Sequence, residues 1–111
     1  MSRVKNKLNW QAYSNKERIK IIESIKETIS KSDGYIINFT LFSDLALSLN
    51  IEIEENKISD LHSELSKFIK ISESLPDNLN LNSSKEWWIL MNISFSKGKG
   101  DLKVEIPNVP G

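Results

Sequence analysis

The sequence predicts an α+β fold, a single two-layer domain in which two helices cover one face of a four-stranded antiparallel sheet, in the order α-β-β-α-β-β. Three observations carry this prediction. Apolar residues alternate with mostly polar ones over residues 35–53. The same alternation returns over 87–95 and, in the opposite phase, over 102–106. Two further segments, 14–34 and 56–71, space their apolar residues by three and four, which is typical of helices with one buried face.

Length and composition limit the function. With 111 residues the chain is long enough for one core, so we expect one domain over residues 1–111. Fifteen basic and fifteen acidic residues cancel, which argues against direct binding to nucleic acid or to an anionic membrane. The absence of cysteine excludes disulfides, thiolate nucleophiles and zinc sites with sulfur ligands. No apolar run reaches the roughly 20 residues that a membrane span needs. The basic N-terminus is not followed by the apolar segment of a signal peptide, so we expect a cytoplasmic protein.

The first helix is predicted to follow a loose N-terminal arm, residues 1–13, which shows little periodicity. Ser14 and Glu17 have the spacing of a capping box, in which each side chain binds the other's backbone N–H, so the helix is expected to begin at Ser14. Gly34 supplies a stop. The predicted buried stripe between them consists of Ile19, Ile22, Ile25 and Ile29.

The first hairpin is expected to have a three-residue loop, 42–44. Directly opposed residues of an antiparallel pair point to the same face. A three-residue loop opposes Leu41 with Leu45 and Phe39 with Leu47, so apolar residues meet apolar residues. A two-residue loop over Ser43 and Asp44 would instead oppose apolar residues with polar ones.

The second helix is predicted over about 56–71 and the second hairpin after residue 85. The helix stripe consists of Ile58, Leu61, Leu65, Phe68 and Ile69. A long polar connection, 72–85, follows it. A four-residue loop, 97–100, would then join strands 87–95 and 102–106, and Pro107 ends the sheet before a tail, 107–111.

The residues give no sign of catalysis. His62 is the only histidine, and no nucleophile or orienting group is placed to work with it, so we expect an ordinary residue at the edge of the helix stripe. A second histidine and an Asp-rich loop of the EF-hand type are both missing. We therefore predict a protein that is not an enzyme, with no cofactor and no metal site.

Acidic residues suggest a binding surface instead. Glu52 and Glu54 share one face of a strand and Glu55 follows them. With Asp60 and Glu64 on the next helix they are predicted to form an acidic patch that meets a basic partner. An ordinary solvated surface would show the same pattern.

A second candidate is the face of the sheet that both helices leave open. It is predicted to carry Trp88 and Leu90 among polar residues, and tryptophan often anchors protein contacts. The alternative is that Trp88 is covered, either by the connection 72–85 or by the N-terminal arm, where Trp10 would stack on it.

In general layout the chain resembles the small immunity proteins of bacterial toxin systems, including those of contact-dependent growth inhibition. The resemblance spans residues 35–106 and rests on the strand-helix-strand order, the segment Ile51-Glu52-Ile53-Glu54-Glu55 and the strand Glu86-Trp87-Trp88-Ile89. It implies the neutralisation of a cognate toxin domain, often a nuclease, and carries over no functional residues. The partner would be a basic protein and the chain a monomer or weak homodimer. A self-associating module, and a small enzyme or ligand carrier, stay open as alternatives.

Overall fold

The computed structural model describes residues 6–96, which form two helices packed on a five-stranded mixed sheet. The elements are β1 (Asn6–Ser14), α1 (Arg18–Lys31), β2 (Tyr35–Ser43), β3 (Ala46–Glu54), α2 (Glu55–Leu65), β4 (Lys70–Ile71) and β5 (Glu86–Phe95). The strand order across the sheet is β2-β3-β5-β1-β4. The predicted α+β class is confirmed, whereas the four-stranded antiparallel sheet and the order α-β-β-α-β-β are wrong, because two unpredicted strands, β1 and β4, join the sheet and β1 pairs in parallel with β5. Neither helix has the length and apolar character needed to cross a membrane.

The strand β1 replaces most of the predicted N-terminal arm. Its even positions include Trp10, which is 1% exposed, and Ala12, which is also buried, while the odd positions are polar or exposed. Trp10 lies opposite Met91 of β5. Only one face of this strand is apolar, and the alternation of apolar and polar residues along it is short. The sequence pattern therefore did not predict a strand here.

The central strand β5 hydrogen-bonds to β3 on one side and to β1 on the other. Its odd residues face the core, as predicted: Trp87, Ile89, Met91, Ile93 and Phe95. Because both edges are occupied, β5 offers no edge for the predicted second hairpin. The predicted strand 102–106, the loop 97–100 and the tail 107–111 lie outside the described residues.

The first hairpin has the predicted strands but another register. Leu41 lies opposite Leu47 and Phe39 opposite Leu49, two residues away from the predicted pairing. The pairing shifts by one residue between Leu41 and Ser43, because β2 has an extra residue there. With this extra residue, a turn shorter than the predicted three-residue loop still places apolar residues opposite apolar residues. The turn is closed by Ser43, which lies opposite Ala46.

Helix α1 begins at Arg18, four residues after the predicted start. Ser14 belongs to β1, and its hydroxyl accepts from the backbone N–H of Lys16 at 3.0 Å. Glu17 occupies the N-cap position without a capping side-chain bond, so the predicted capping box is wrong. The buried stripe also differs from the predicted one: it consists of Arg18, Ile21, Ile25 and Ile29, whereas Ile19 is 52% exposed.

The end of α1 is a Schellman motif next to the predicted stop. The backbone N–H of Gly34 donates to the Ile29 carbonyl at 2.9 Å, and that of Asp33 donates to the Ser30 carbonyl at 3.0 Å. Asp33, with φ of 62°, adopts the left-handed conformation. Gly34 is needed for close approach, because a Cβ there would lie 3.1 Å from Ile29 Cγ2.

Helix α2 buries Ile58, Leu61 and Leu65 completely, as predicted, but it ends at Leu65. The last residues of the predicted helix form β4 instead, where Ile71 lies opposite Ala12 of β1. Tertiary pairing with β1 therefore overrides the helical spacing of this segment.

Candidate functional site

The face of the sheet opposite the helices is the candidate site, and we call it the open face. Side chains on it come from the even positions of β3 and β5 and the odd positions of β1. The cross-strand register places Trp88 of β5 directly between Glu52 of β3 and Lys7 of β1. Tyr35 of β2 lies opposite Glu52, so one row crosses four strands. Since β5 is the middle strand, Trp88 lies halfway across the sheet, and along the strands it lies near the end that carries Glu54 and Glu86.

The ring of Trp88 is 38% exposed and forms one wall of a shallow depression. The Nζ atom of Lys7 lies 5.9 Å from the ring centroid, at the limit of a cation–π contact. Leu90, which is 36% exposed, lies two residues along the strand. The depression measures about 320 Å³ and is lined by Lys7, Leu8, Asn9, Asn50, Trp88 and Leu90.

In the described part of the chain neither Trp10 nor the connection 72–85 covers Trp88, although Lys7 of the predicted arm reaches its ring. Trp10 packs in the core on the helix side of the sheet, with its ring edge-on to His62 at 5.1 Å. The connection 72–85 contributes Leu75 and Leu79 to the same core. The predicted stacking of Trp10 on Trp88 is therefore wrong.

The open face also carries part of the predicted acidic patch. Glu52 and Glu54 lie on it, and Glu54 is directly opposite Glu86. Three carboxylates thus cluster at one end of the face. The sequence did not predict that Glu86 joins this cluster, because it did not predict that β3 and β5 are neighbours. One signal was present, since Glu86 and Trp88 both occupy even positions of the same strand.

Glu55 is buried and does not contribute to this surface. Its Oε2 accepts a hydrogen bond from the backbone N–H of Asn80 at 2.7 Å. That bond lowers the pKa of Glu55, whereas burial alone would raise it. Ser83 and the Trp87 indole also lower this pKa. The Trp87 Nε1 nevertheless makes no hydrogen bond of standard geometry. Glu55 therefore anchors the connection 72–85 to the start of α2.

Asp60 and Glu64 lie on the other side of the sheet, in a groove between α1 and α2. The groove measures about 480 Å³ and is lined by Thr28, Lys31, Ser32, Lys57, Asp60 and Glu64. Lys57 binds Asp33 at 3.0 Å, and this hydrogen bond raises the pKa of Lys57. Lys67 binds Glu64 at 3.0 Å. The groove mixes both signs of charge, so the five predicted acidic residues do not form one patch.

His62 has a structural environment. Its Nε2 lies 3.0 Å from the carbonyl oxygen of Glu73, and its ring contacts Trp10. Within residues 6–96 no three side chains of His, Cys, Asp or Glu come together as a metal site would require. These contacts give His62 a role in holding the connection 72–85 against α2.

Comparison with known proteins adds no relative to this picture. No protein-family model matches the chain, and no curated protein or solved structure matches it either.

Proposed function

We propose that this chain is a cytoplasmic immunity protein that binds a cognate bacterial toxin domain and neutralises it, using the open face as the contact surface. The observation that carries the proposal is the position of Trp88, which is 38% exposed on the middle strand of a sheet face that the helices leave uncovered. Binding energy at protein interfaces concentrates in such aromatic anchors near the centre of the contact.

The surroundings of Trp88 support a protein contact. Leu90 adds apolar area beside the ring, and amide side chains of Asn9 and Asn50 line the same depression. Tyr13, which is 45% exposed, lies further along β1 on this face. An apolar centre with a rim of uncharged polar groups is the usual composition of a protein–protein interface.

The charge at one end of the open face supports a basic partner. Glu52, Glu54 and Glu86 lie on neighbouring strands there. A toxin that cleaves nucleic acid must itself present basic groups to a polyanion. An acidic surface would attract those groups and raise the rate of association. The resemblance in layout to immunity proteins supplies the toxin part of the proposal.

The test is affinity capture from the source cells with three baits: the wild-type chain, Trp88→Ala and the control Leu81→Ala. Leu81 is 62% exposed and lies in the connection 72–85, outside the strands that form the open face. We expect one basic protein to be retained by the wild type and by Leu81→Ala but lost from Trp88→Ala. That protein should stop growth when it is expressed alone, and co-expression of the wild type should restore growth.

Two results would overturn the proposal: retention of the same proteins by all three baits, or a Trp88-dependent partner that is harmless on its own.

The electrostatic part has its own test. Glu52→Lys with Glu54→Lys should slow association with the captured partner about tenfold or more at low salt, and the difference should shrink at high salt. Glu27→Lys is the matched control, because Glu27 is exposed on α1, where it pairs with Lys31. Glu55 is left unchanged because its carboxylate holds the connection 72–85. Equal rates for all variants would remove the acidic residues from the contact.

A further inference from the structure

The strand β2 forms one edge of the sheet, and no strand in the described part of the chain pairs with its outer side. It is nine residues long, and residues 35–43 contain no charged side chain. Proteins usually protect long edge strands with charges, proline, β-bulges or a covering segment. The pairing of β2 with β3 shifts between Ile36 and Asn38 and again between Leu41 and Ser43, and residues 38–41 pair regularly between these shifts. In contrast, the opposite edge is the two-residue strand β4.

Apolar side chains of β2 extend beyond the cover of the helices. Phe39 and Leu41 lie opposite the core residues Leu49 and Leu47 and therefore point to the helix side of the sheet. Ile37 lies at a shift of the pairing between Ile36 and Asn38. Even so, Ile37, Phe39 and Leu41 are 50%, 36% and 45% exposed.

Helix α1 adds to this apolar surface. The Nζ atom of Lys26 lies 4.9 Å from the centroid of the Phe39 ring, and Arg18 pairs with Asp44 at 3.7 Å. These two contacts show that α1 lies alongside β2 and runs antiparallel to it. Ile19, which is 52% exposed, therefore lies towards the Asp44 end of the same surface.

We propose that the outer edge of β2 pairs with β2 of a second copy of this chain, antiparallel and with the two-fold axis at Phe39. In this register Phe39 meets its own copy and Ile37 meets Leu41 of the other chain, twice. On the other face, Asn38 meets Thr40 of the other chain, also twice. Over residues 36–42 every opposed pair matches apolar with apolar or polar with polar, as stable cross-strand pairs do, whereas the terminal pair sets Tyr35 against Ser43.

Symmetry and charge favour a second copy as the occupant. A two-fold interface must be self-complementary, and the pattern of apolar and polar residues over 36–42 reads the same in both directions about Phe39. A charge-free strand also offers nothing to a strongly charged partner. Exposed apolar residues in and beside β2 supply apolar area to such an interface, in which each side typically buries roughly 800 Å². They are Ile19, Tyr35, Ile37, Phe39, Leu41, Phe42 and Leu45.

This dimer is independent of the proposed toxin contact. The strand β3 separates β2 from the Trp88 strand, β5. Edge pairing would join two sheets side by side and leave both open faces accessible. Trp88→Ala should therefore leave the dimer intact, and loss of the dimer should leave the open face available.

The first experiment is sedimentation equilibrium of the full chain over a concentration range from about 1 to 300 μM. We expect a reversible monomer–dimer equilibrium for the wild type. Leu41→Lys should raise the dimer dissociation constant at least about tenfold, because a charge then faces an apolar residue at two symmetric positions. The control Leu81→Lys makes the same change at an exposed site outside β2 and should not alter it.

The second experiment tests the register. Ile37→Glu alone should weaken the dimer as Leu41→Lys does. Mixing the two variants should restore association as a heterodimer, because the new carboxylate at position 37 of one chain then faces the new ammonium at position 41 of the other. The remaining Leu41 and Ile37 pair as in the wild type. Circular dichroism of each variant shows whether the fold is kept.

A wild-type chain that stays monomeric over the whole range would overturn the proposal. So would an equal dissociation constant for the wild type and Leu41→Lys, which would place the contact elsewhere. Hydrogen exchange identifies another occupant of the edge: slow exchange of β2 amides in a monomer at every concentration would show that the edge is covered within one chain.

Discussion

The carboxylate of Glu55 accepts a hydrogen bond from the backbone N–H of Asn80 at 2.7 Å, across 25 residues of sequence. Asn56 extends the link, since its side-chain amide donates to the Ser83 carbonyl at 2.8 Å. The Glu55 charge also lies in the first turn of α2, where the helix dipole favours an anion. One buried carboxylate thus joins the connection 72–85 to the start of a helix.

Replacement of this carboxylate should destabilise the domain in a pH-dependent way. Because the folded protein lowers the pKa of Glu55, the charged form contributes stability above its ordinary pKa. That contribution is lost as the pH falls through the lowered pKa. We expect Glu55→Gln to lower the urea midpoint at neutral pH and to differ less from the wild type as the solution is acidified.

Glu27→Gln is the control for this experiment. Its carboxylate is 68% exposed and pairs with Lys31 on the surface of α1. Such a pair contributes little to stability, so the midpoint should stay near that of the wild type at every pH. A constant difference between Glu55→Gln and the wild type at all pH values would contradict the assigned role of the charge.

The tryptophans should respond differently to truncation. Trp10 is 1% exposed in the core, so Trp10→Ala should cost about 3–5 kcal/mol of unfolding free energy. Trp88→Ala removes a partly exposed ring from the open face and should cost about 1 kcal/mol or less. Urea denaturation followed by circular dichroism measures both values. A loss at Trp88 as large as that at Trp10 would mean that Trp88 belongs to the core.

The close approach at the end of α1 predicts a cost for a single methyl group. In Gly34→Ala the new Cβ would lie 3.1 Å from Ile29 Cγ2 and 3.3 Å from the Ile29 carbonyl oxygen. We expect a loss of about 1 kcal/mol in unfolding free energy, because a buried side chain and the Schellman motif must both shift. Ser30→Ala, at an exposed position of the same helix, should be neutral or slightly stabilising.

Arg18 and Asp44 should respond in opposite directions. The Arg18 side chain is only 11% exposed, its Nε has no hydrogen-bond partner among residues 6–96, and Asp44 lies 3.7 Å away. Arg18→Met keeps the apolar stem without burying a charge, so thermal unfolding should occur at an unchanged or higher temperature. Asp44→Ala leaves the guanidinium without its carboxylate and should lower stability by up to about 1 kcal/mol. A strong loss in Arg18→Met would show that the guanidinium itself is needed.

The comparison of α1 with β1 shows where sequence patterns were sufficient and where they were not. The period of three and four predicted α1 and its end near Gly34, because helical hydrogen bonds and the stop are local. The same local reasoning placed the helix start four residues too early, at Ser14. That residue was needed as the last residue of β1, whose pairing with β5 brings together segments about 80 residues apart.

The acidic residues show the same division. Alternation alone placed Glu52 and Glu54 on one face, because successive side chains of a strand point to opposite sides. It could not bring Glu86 beside them or separate Asp60 and Glu64 from them, since both outcomes depend on which elements are neighbours.

The sequence by itself determined the α+β class, the apolar faces of β3 and β5 and the presence of Trp88 on the face opposite them. Only the tertiary structure decided that β1 and β3 flank β5, that Glu55 is an anchor and that β2 is an exposed edge. The physical reason is range. Side-chain periodicity follows from backbone geometry within a few residues, whereas strand order follows from the packing of segments that are distant in the chain.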